Sequence, residues 1–183
     1  MTAGTWVMSP PNWQFGSERP QKVGPMRSRL IVTQQCRAAD VDRVTAEYAK
    51  AKVSVELATF FTDLPERMSA AHLVIGRAGA STIAELAALG RPAILVPLPG
   101  ALDQDQRANA AVFEHAGGGW LMNQATLSPQ TLCTSLTDLL SDAERLKAAA
   151  VAARSVGHAD AVQRLADIVE GLAGRQIEGR LNS

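Results

Sequence analysis

The sequence predicts an α/β fold, a three-layer arrangement in which a parallel sheet lies between helices. Two observations predict it. The runs Leu73-Val74-Ile75 and Ala93-Ile94-Leu95-Val96 are too continuous for half-exposed strands and mark strands buried on both faces. Around them stand segments whose apolar residues recur at helical spacing, and two parallel strands joined through a helix form a right-handed crossover unit. At 183 residues the chain supports one such domain and little else.

Taken in order, residues 1–28 hold Pro10, Pro11, Pro20 and Pro25 without helical or alternating pattern, so an irregular segment is expected. Trp6, Trp13 and Phe15 within it either cover a neighbouring apolar surface or mark a segment foreign to the fold. Leu30 to Gln34 reads as a strand. Asp40 to Ala51 reads as a helix packed by Val41, Val44, Tyr48 and Ala51, and Val53 to Phe60 as a strand. Asp63-Leu64-Pro65-Glu66 carries the acid, early proline and glutamate of a helix start, with Leu64, Met68 and Ala71 inward.

His72 to Gly76 is the next strand. The turn Arg77-Ala78-Gly79-Ala80 leads into a helix from Ser81-Thr82, with Ile83, Leu86 and Ala87 on its apolar face and Gly90 and Pro92 as its stop. Pro92 to Leu98 is again a strand. A polar loop then opens a helix running through Asn109 and Val112 to Ala116, broken at Gly117-Gly118-Gly119. Trp120-Leu121-Met122 is a brief strand. Ser128-Pro129 caps a helix faced by Leu132, Leu136, Leu139 and Leu140. Asp142 opens an alanine-rich helix, and Asp160 with Gln163 opens a last one faced by Val162, Leu165, Val169 and Leu172. The sheet so counted has strands near residues 30, 53, 72, 92 and 120, and residues 175–183 form a tail.

Composition narrows the function. Lys plus Arg equal Asp plus Glu at 18 each, which leaves no electrostatic footprint for nucleic acid or an anionic membrane. Cys36 and Cys133 have neither metal-ligand spacing nor disulfide density, so buried thiols in a reducing compartment are expected. No apolar run approaches the ~18 residues of a membrane span. No signal peptide is legible, which points to the cytoplasm.

Ligands of open parallel sheets bind beyond the carboxyl ends of the strands, where Gly79 to Thr82 and Pro99 to Asn109 both fall. The N–H groups of Ala80, Ser81 and Thr82 are available at a helix start, which favours a diphosphate. Glu85, one turn on, suits the two hydroxyls of a ribose. Thr82 and Glu85 also stand as Thr-x-x-Glu, a capping box that needs no ligand. Gly79 also fits a plain tight turn. His72, His115 and His158 have no matching carboxylate and nucleophile, so none reads as a general base.

Arg77-Ala78-Gly79-Ala80-Ser81-Thr82-Ile83-Ala84-Glu85, with Gly90-Arg91-Pro92, Pro97-Leu98-Pro99, Asp103, Gln106 and Asn109, resembles the donor-binding half of the MurG family. These glycosyltransferases of family 28 move N-acetylglucosamine from its UDP donor to the lipid-linked muramyl-pentapeptide precursor of peptidoglycan. The resemblance runs from about Leu30 to about Ala173. It implies a Rossmann-like, C-terminal half of a GT-B enzyme, with residues 29–174 as its nucleotide-sugar-binding domain. It also implies a fold incomplete at its N-terminus, since such a domain has one more strand and helix before Leu30 and a glycine-rich loop between them; Gly16-Ser17 is the nearest match.

For the site, the resemblance implies a nucleotide sugar held by Phe61, Ala80, Ser81, Thr82, Ile83, Ala84, Glu85 and Gln106, with Arg77, Gly79, Asp105 and Asn109 beside them. The backbone of Phe61 would meet the uracil, against a bland role in core packing beside Phe60. Gln106 would face the sugar hydroxyls, since an amide both donates and accepts, against a bland role as a solvated residue of a helix first turn. Asp105 and Gly100 replace residues common in the family, histidine or glutamine and histidine respectively, and so bear on which sugar fits.

The implied function is the UDP-N-acetylglucosamine-binding half of a transferase of lipid II synthesis. It would be inactive without an acceptor domain, and it carries no catalytic residue, cofactor or metal. The alternatives are a noncatalytic subunit of a split enzyme, an inactive relic, or another UDP-sugar enzyme such as an epimerase. The implied partners are UDP-N-acetylglucosamine or UDP, and a separate acceptor-domain chain or a second copy of this one. The implied location is cytoplasmic, peripheral at the inner face of the plasma membrane.

Overall fold

The computed structural model describes residues 3–8, 30–99 and 104–157. Six strands, β1 (Ala3–Met8), β2 (Leu30–Gln35), β3 (Ser54–Ala58), β4 (Leu73–Gly76), β5 (Ala93–Leu95) and β6 (Gly119–Leu121), form one sheet in the order β3-β2-β1-β4-β5-β6. Every neighbouring pair is parallel. The helices are α1 (Val41–Ala51), α2 (Leu64–Ala70), α3 (Ala80–Leu89), α4 (Gln104–His115), α5 (Pro129–Leu140) and α6 (Ala143–Val156), with 3-10 turns at Ala38–Asp40 and Gln124–Thr126.

The apolar runs do what continuous runs in a parallel sheet must do. Val74, Ala93 and Leu95 face a cluster with Phe61, Met68, Leu86 and Phe113. Their neighbours Leu73, Ile75, Ile94 and Val96 face a second cluster with Leu132 and Leu139. Two cores on two faces of one sheet are the expected three layers. Leu73, Ile75 and Ile94 are fully buried, each contributing about 1.5–3 kcal/mol of hydrophobic stabilisation.

The start of the chain corrects the sequence reading. Residues 1–28 read as irregular, yet Ala3–Met8 is a strand, and a central one. It pairs along its length with Leu30–Gln35 and, through Thr5, Trp6 and Val7, with Leu73, Val74 and Ile75. The strand that the resemblance requires before Leu30 is therefore present, and the sheet has six strands instead of five. Local pattern failed because only Trp6-Val7-Met8 is continuously apolar and prolines follow closely; pairing on both edges overrides so weak a signal. The readings placed on Trp13, Phe15, Gly16-Ser17, Gly100, Asp103, His158 and the helix from Asp160 fall outside the described residues.

Other boundaries move by a residue or a few. β3 stops at Ala58 before Phe60, and β5 stops at Leu95. α3 begins at Ala80, not at Ser81-Thr82. The expected cap of α5 forms as a capping box, with Ser128 Oγ accepting from Thr131 N at 3.1 Å. Asp142 caps α6 by accepting from Arg145 N at 2.9 Å. Cys36 and Cys133 are both free and buried, and burial, helped by nearby Asp40, pushes the Cys36 thiol up from its ordinary value. Among the described residues no helix is long and apolar enough to cross a membrane. None of their His, Cys, Asp and Glu side chains cluster to hold a metal ion.

Candidate functional site

The order in which the chain adds strands reverses between β1 and β4, and the crevice at that switch point is where such sheets bind ligands. The turn leaving β4 sits there, held by two polar bolts. Arg77 Nη1 donates to Val96 O at 2.9 Å, at the end of β5, and to Gln124 Oε1 at 2.7 Å, in the 3-10 turn after β6. Asn109 Nδ2 reaches from α4 to donate to Ala78 O at 3.1 Å. Ala78 itself is fully buried. The turn is thereby fixed to three other elements.

Gly79 follows, at the N-cap of α3 with φ −62° and ψ 153°. That conformation is open to any residue, so the tight-turn explanation of this glycine fails. A Cβ built there would meet nothing within 4 Å. Neither backbone geometry nor the packing of the described residues requires a glycine at this position. What its absent side chain provides is an unobstructed approach to the helix start.

The capping-box reading of Thr82 and Glu85 fails as well. With Gly79 at the N-cap, Thr82 lies inside the first turn and no side chain caps the helix. Gly79 O already accepts from Ile83 N at 3.0 Å, while the N–H groups of Ala80, Ser81 and Thr82 have no acceptor among the described residues. A ten-residue helix thus presents uncapped donors and the positive end of its dipole toward the crevice. Ser81 and Glu85 are both exposed and, four apart, share a face. Ala84 is exposed beside them, Thr82 is half-buried, and Ile83 packs against the core to fix the rotation of the helix.

Gln106 comes to the same edge in the first turn of α4. Its Oε1 accepts from Leu98 N at 3.2 Å and so ties the chain leaving β5. The Nε2 hydrogens have no acceptor among the described residues. Asp105, next to it, is exposed. Gly79 and Gln106 therefore share the carboxyl edge, as the sequence led us to expect. His72 precedes β4 and His115 ends α4, both at the opposite, amino edge.

Phe61 follows β3 and is buried, 6% exposed, in the same core cluster as Ala78, whereas its neighbour Phe60 is 71% exposed. The bland role in core packing is thus real for the side chain of Phe61 and does not hold for Phe60. The backbone of Phe61 still lies at the carboxyl end of the sheet. Two residues missed by sequence reasoning support the candidate site, Gln124 and Arg67, whose guanidinium lies over the Phe61 ring at 4.3 Å; Leu98, quoted only as part of the motif, supports it through Gln106. Gln124 follows β6 and so falls at the carboxyl edge by topology alone, a signal that was available. Two shallow grooves, one around Arg91 and Arg154 and one around Trp120 and Arg145, involve none of the candidate residues.

Residues 14–165 match the glycosyltransferase family 28 C-terminal domain, a match that begins ahead of the resemblance read from Leu30. The chain is 53% identical over 150 residues to the UDP-N-acetylglucosamine--N-acetylmuramyl-(pentapeptide) pyrophosphoryl-undecaprenol N-acetylglucosamine transferase of Mesorhizobium japonicum, covering 82% of this chain and 40% of that protein. It is 53% identical over 151 residues to the protein of the same name from Rhodospirillum rubrum, covering 82% of this chain and 39% of that one. Among solved structures it resembles Acinetobacter baumannii MurG with a TM-score of 0.75 at 28% identity, covering 93% of this chain and 52% of that one. The chain spans about 40% of the length of the curated relatives it matches.

Proposed function

The chain belongs to the family of glycosyltransferase family 28 C-terminal domains, and from that premise we propose that it is the UDP-N-acetylglucosamine-binding half of a MurG-like transferase of lipid II synthesis. The observation that carries the reading is Gly79. A glycine that neither its φ nor its described surroundings demand stands before an uncapped helix, with Ser81 exposed in the first turn and Glu85 exposed one turn further.

In this reading the N–H groups of Ala80, Ser81 and Thr82 hold the donor diphosphate. As the bond from the anomeric carbon to the diphosphate oxygen breaks, negative charge grows on the leaving UDP. Fixed donors at a helix start stabilise that charge without reorganising. Glu85 accepts from the ribose hydroxyls, and the backbone of Phe61 meets the uracil. Gln106 donates through Nε2 to a sugar hydroxyl, its Oε1 being engaged by Leu98. Ile83 and Ala84 complete the wall of the first turn. Arg77 and Asn109 act through position, because their side chains are spent on Val96, Gln124 and Ala78. Asp105, an exposed carboxylate near this edge, bears on sugar preference. The reaction also needs an acceptor hydroxyl held in reach and a base for its proton. We assign both to an acceptor domain facing this edge, working at the inner face of the plasma membrane.

Titration of the 183-residue chain with UDP, followed by amide chemical shifts, tests the reading. Binding at a Kd of about 0.1–1 mM is expected, with shifts concentrated at residues 79–85. Glu85→Ala is expected to weaken binding while leaving the melting temperature in place. No shift at millimolar UDP would overturn the proposal. In a transfer assay on a lipid-linked muramyl acceptor, turnover is expected when the chain is mixed with an acceptor domain.

A further inference from the structure

Between the end of β3 and the start of α2, one side chain reaches back over the connecting turn. Arg67, in α2, places its guanidinium carbon 4.3 Å from the centre of the Phe61 ring. Its Nε donates to Asp63 Oδ1 at 2.8 Å, and its Nη1 donates to Glu56 Oε2 at 2.7 Å. One planar group thus joins the strand, the inward-turned ring and the residue before the helix.

Two features separate this arrangement from an ordinary surface ion pair. The Arg67 side chain is only 23% exposed. Asp63, moreover, occupies the N-cap position of α2 yet makes no cap; its carboxylate goes to Arg67 instead, which holds that carboxyl below its usual range. A helix start that forgoes its cap in favour of a fork over a ring is arranged around that ring. Phe60 is turned out and Phe61 is turned in, so the buried ring under Arg67 is the anchor of this turn.

We infer that Arg67 is a positioning residue for the nucleotide base: by clamping the Phe61 ring it fixes the backbone that, in the donor-site reading on which this inference rests, meets the uracil. Backbone groups tell one base from another only when they are held in place, because discrimination comes from polar groups left unpaired by the wrong partner. A guanidinium serves this purpose better than an ammonium, since it stacks on the ring and bonds two carboxylates in fixed directions at once.

The test titrates the full chain and its Arg67→Ala and Arg67→Lys variants with UDP, ADP and inorganic pyrophosphate. In Arg67→Ala we expect the Kd for UDP to rise about tenfold and the preference for UDP over ADP to shrink by a similar factor. The Kd for pyrophosphate should stay within about twofold, because the donors at the start of α3 are separate from the clamp. Arg67→Lys should behave like Arg67→Ala. Equal weakening of UDP and pyrophosphate, or an unchanged UDP:ADP ratio, would overturn the inference. Should Arg67→Ala not fold, Phe61→Leu keeps an apolar side chain and removes the ring, and wild-type base preference in it would be equally fatal. A wild-type chain that binds pyrophosphate without preferring UDP to ADP defeats this inference alone, whereas one that binds neither defeats the donor-site reading first.

Discussion

The glycines at the two edges of the sheet do opposite things. At the amino edge they are demanded by the protein itself. Gly90 ends α3 in the left-handed region at φ +60°, and an added Cβ would lie 2.8 Å from Arg154 Nε. A Cβ at Gly118 would lie 2.9 Å from Ala153 Cα, and one at Gly119 would collide with the carbonyl oxygen of Ala93. At the carboxyl edge Gly79 has ordinary torsions and, among the described residues, nothing within 4 Å of an added Cβ. One edge uses glycine to bring its own backbone and side chains together; at the other, in the donor-site reading, Gly79 leaves room for the ligand. Residue type alone does not separate these uses; the surroundings of the missing Cβ do.

The largest effect that would sharpen this comparison is expected from Gly119→Ala. Its methyl group has rigid backbone to displace, so a loss of ~3 kcal/mol or more is expected, read from urea unfolding. Gly79→Ala should change stability by no more than about 1 kcal/mol, since alanine is the poorer N-cap but also restricts the unfolded chain. It should nevertheless raise the Kd for UDP about tenfold, because the methyl occupies the approach to the helix donors. A Gly79→Ala variant that bound UDP normally would break the comparison.

A smaller effect tests the two helix starts that the sequence made look alike. Ser128→Ala removes a formed capping box and should cost ~1 kcal/mol. Thr82→Ala removes none and should stay within about 0.5 kcal/mol.

The smallest effect is one of pH. The hydrogen bond from Arg67 lowers the Asp63 carboxyl below its ordinary 3.8, so its stabilisation is present above that value and lost as pH falls through the depressed one. The stability gap between wild type and Arg67→Ala should thus be flat from about pH 5 to 7 and narrow below about pH 4, by a modest amount because the pair is partly exposed. Variants at the amino edge, where the constraint is steric, should show no such narrowing.

The strands at Leu30, Leu73, Ala93 and Gly119 were legible because unbroken apolar runs leave few alternatives, and the helices because their inward residues recur. The candidate site could be read from the sequence where it is local, as at Gly79 to Glu85. What escaped was joined across the chain. Arg77 and Gln124 are 47 residues apart and Asn109 and Ala78 are 31, so no window of sequence reveals either bond. The capping box at Thr82 misled for a different reason. The same four-residue pattern fits a cap or the inside of a first turn, and the helix start decides which: the N-cap falls at Gly79, three residues ahead of Thr82. At Ser128 the proline that follows removes that freedom by fixing the first turn, which is why the reading there was sound.

The central position of β1 has a consequence for how the molecule is assembled. β2 with β3, and β4 with β5 and β6, each pair strands close in sequence, whereas β1 must find β4 across the intervening β2 and β3. The sheet is thus two locally formed halves stitched by its earliest segment, and the stitch carries the highest loop-closure cost. A chain opened at this seam is expected to be complemented in trans: a peptide bearing residues 3–8 should restore to a chain beginning near Leu30 the slow amide exchange of Leu73 to Ile75, the strand it would newly flank.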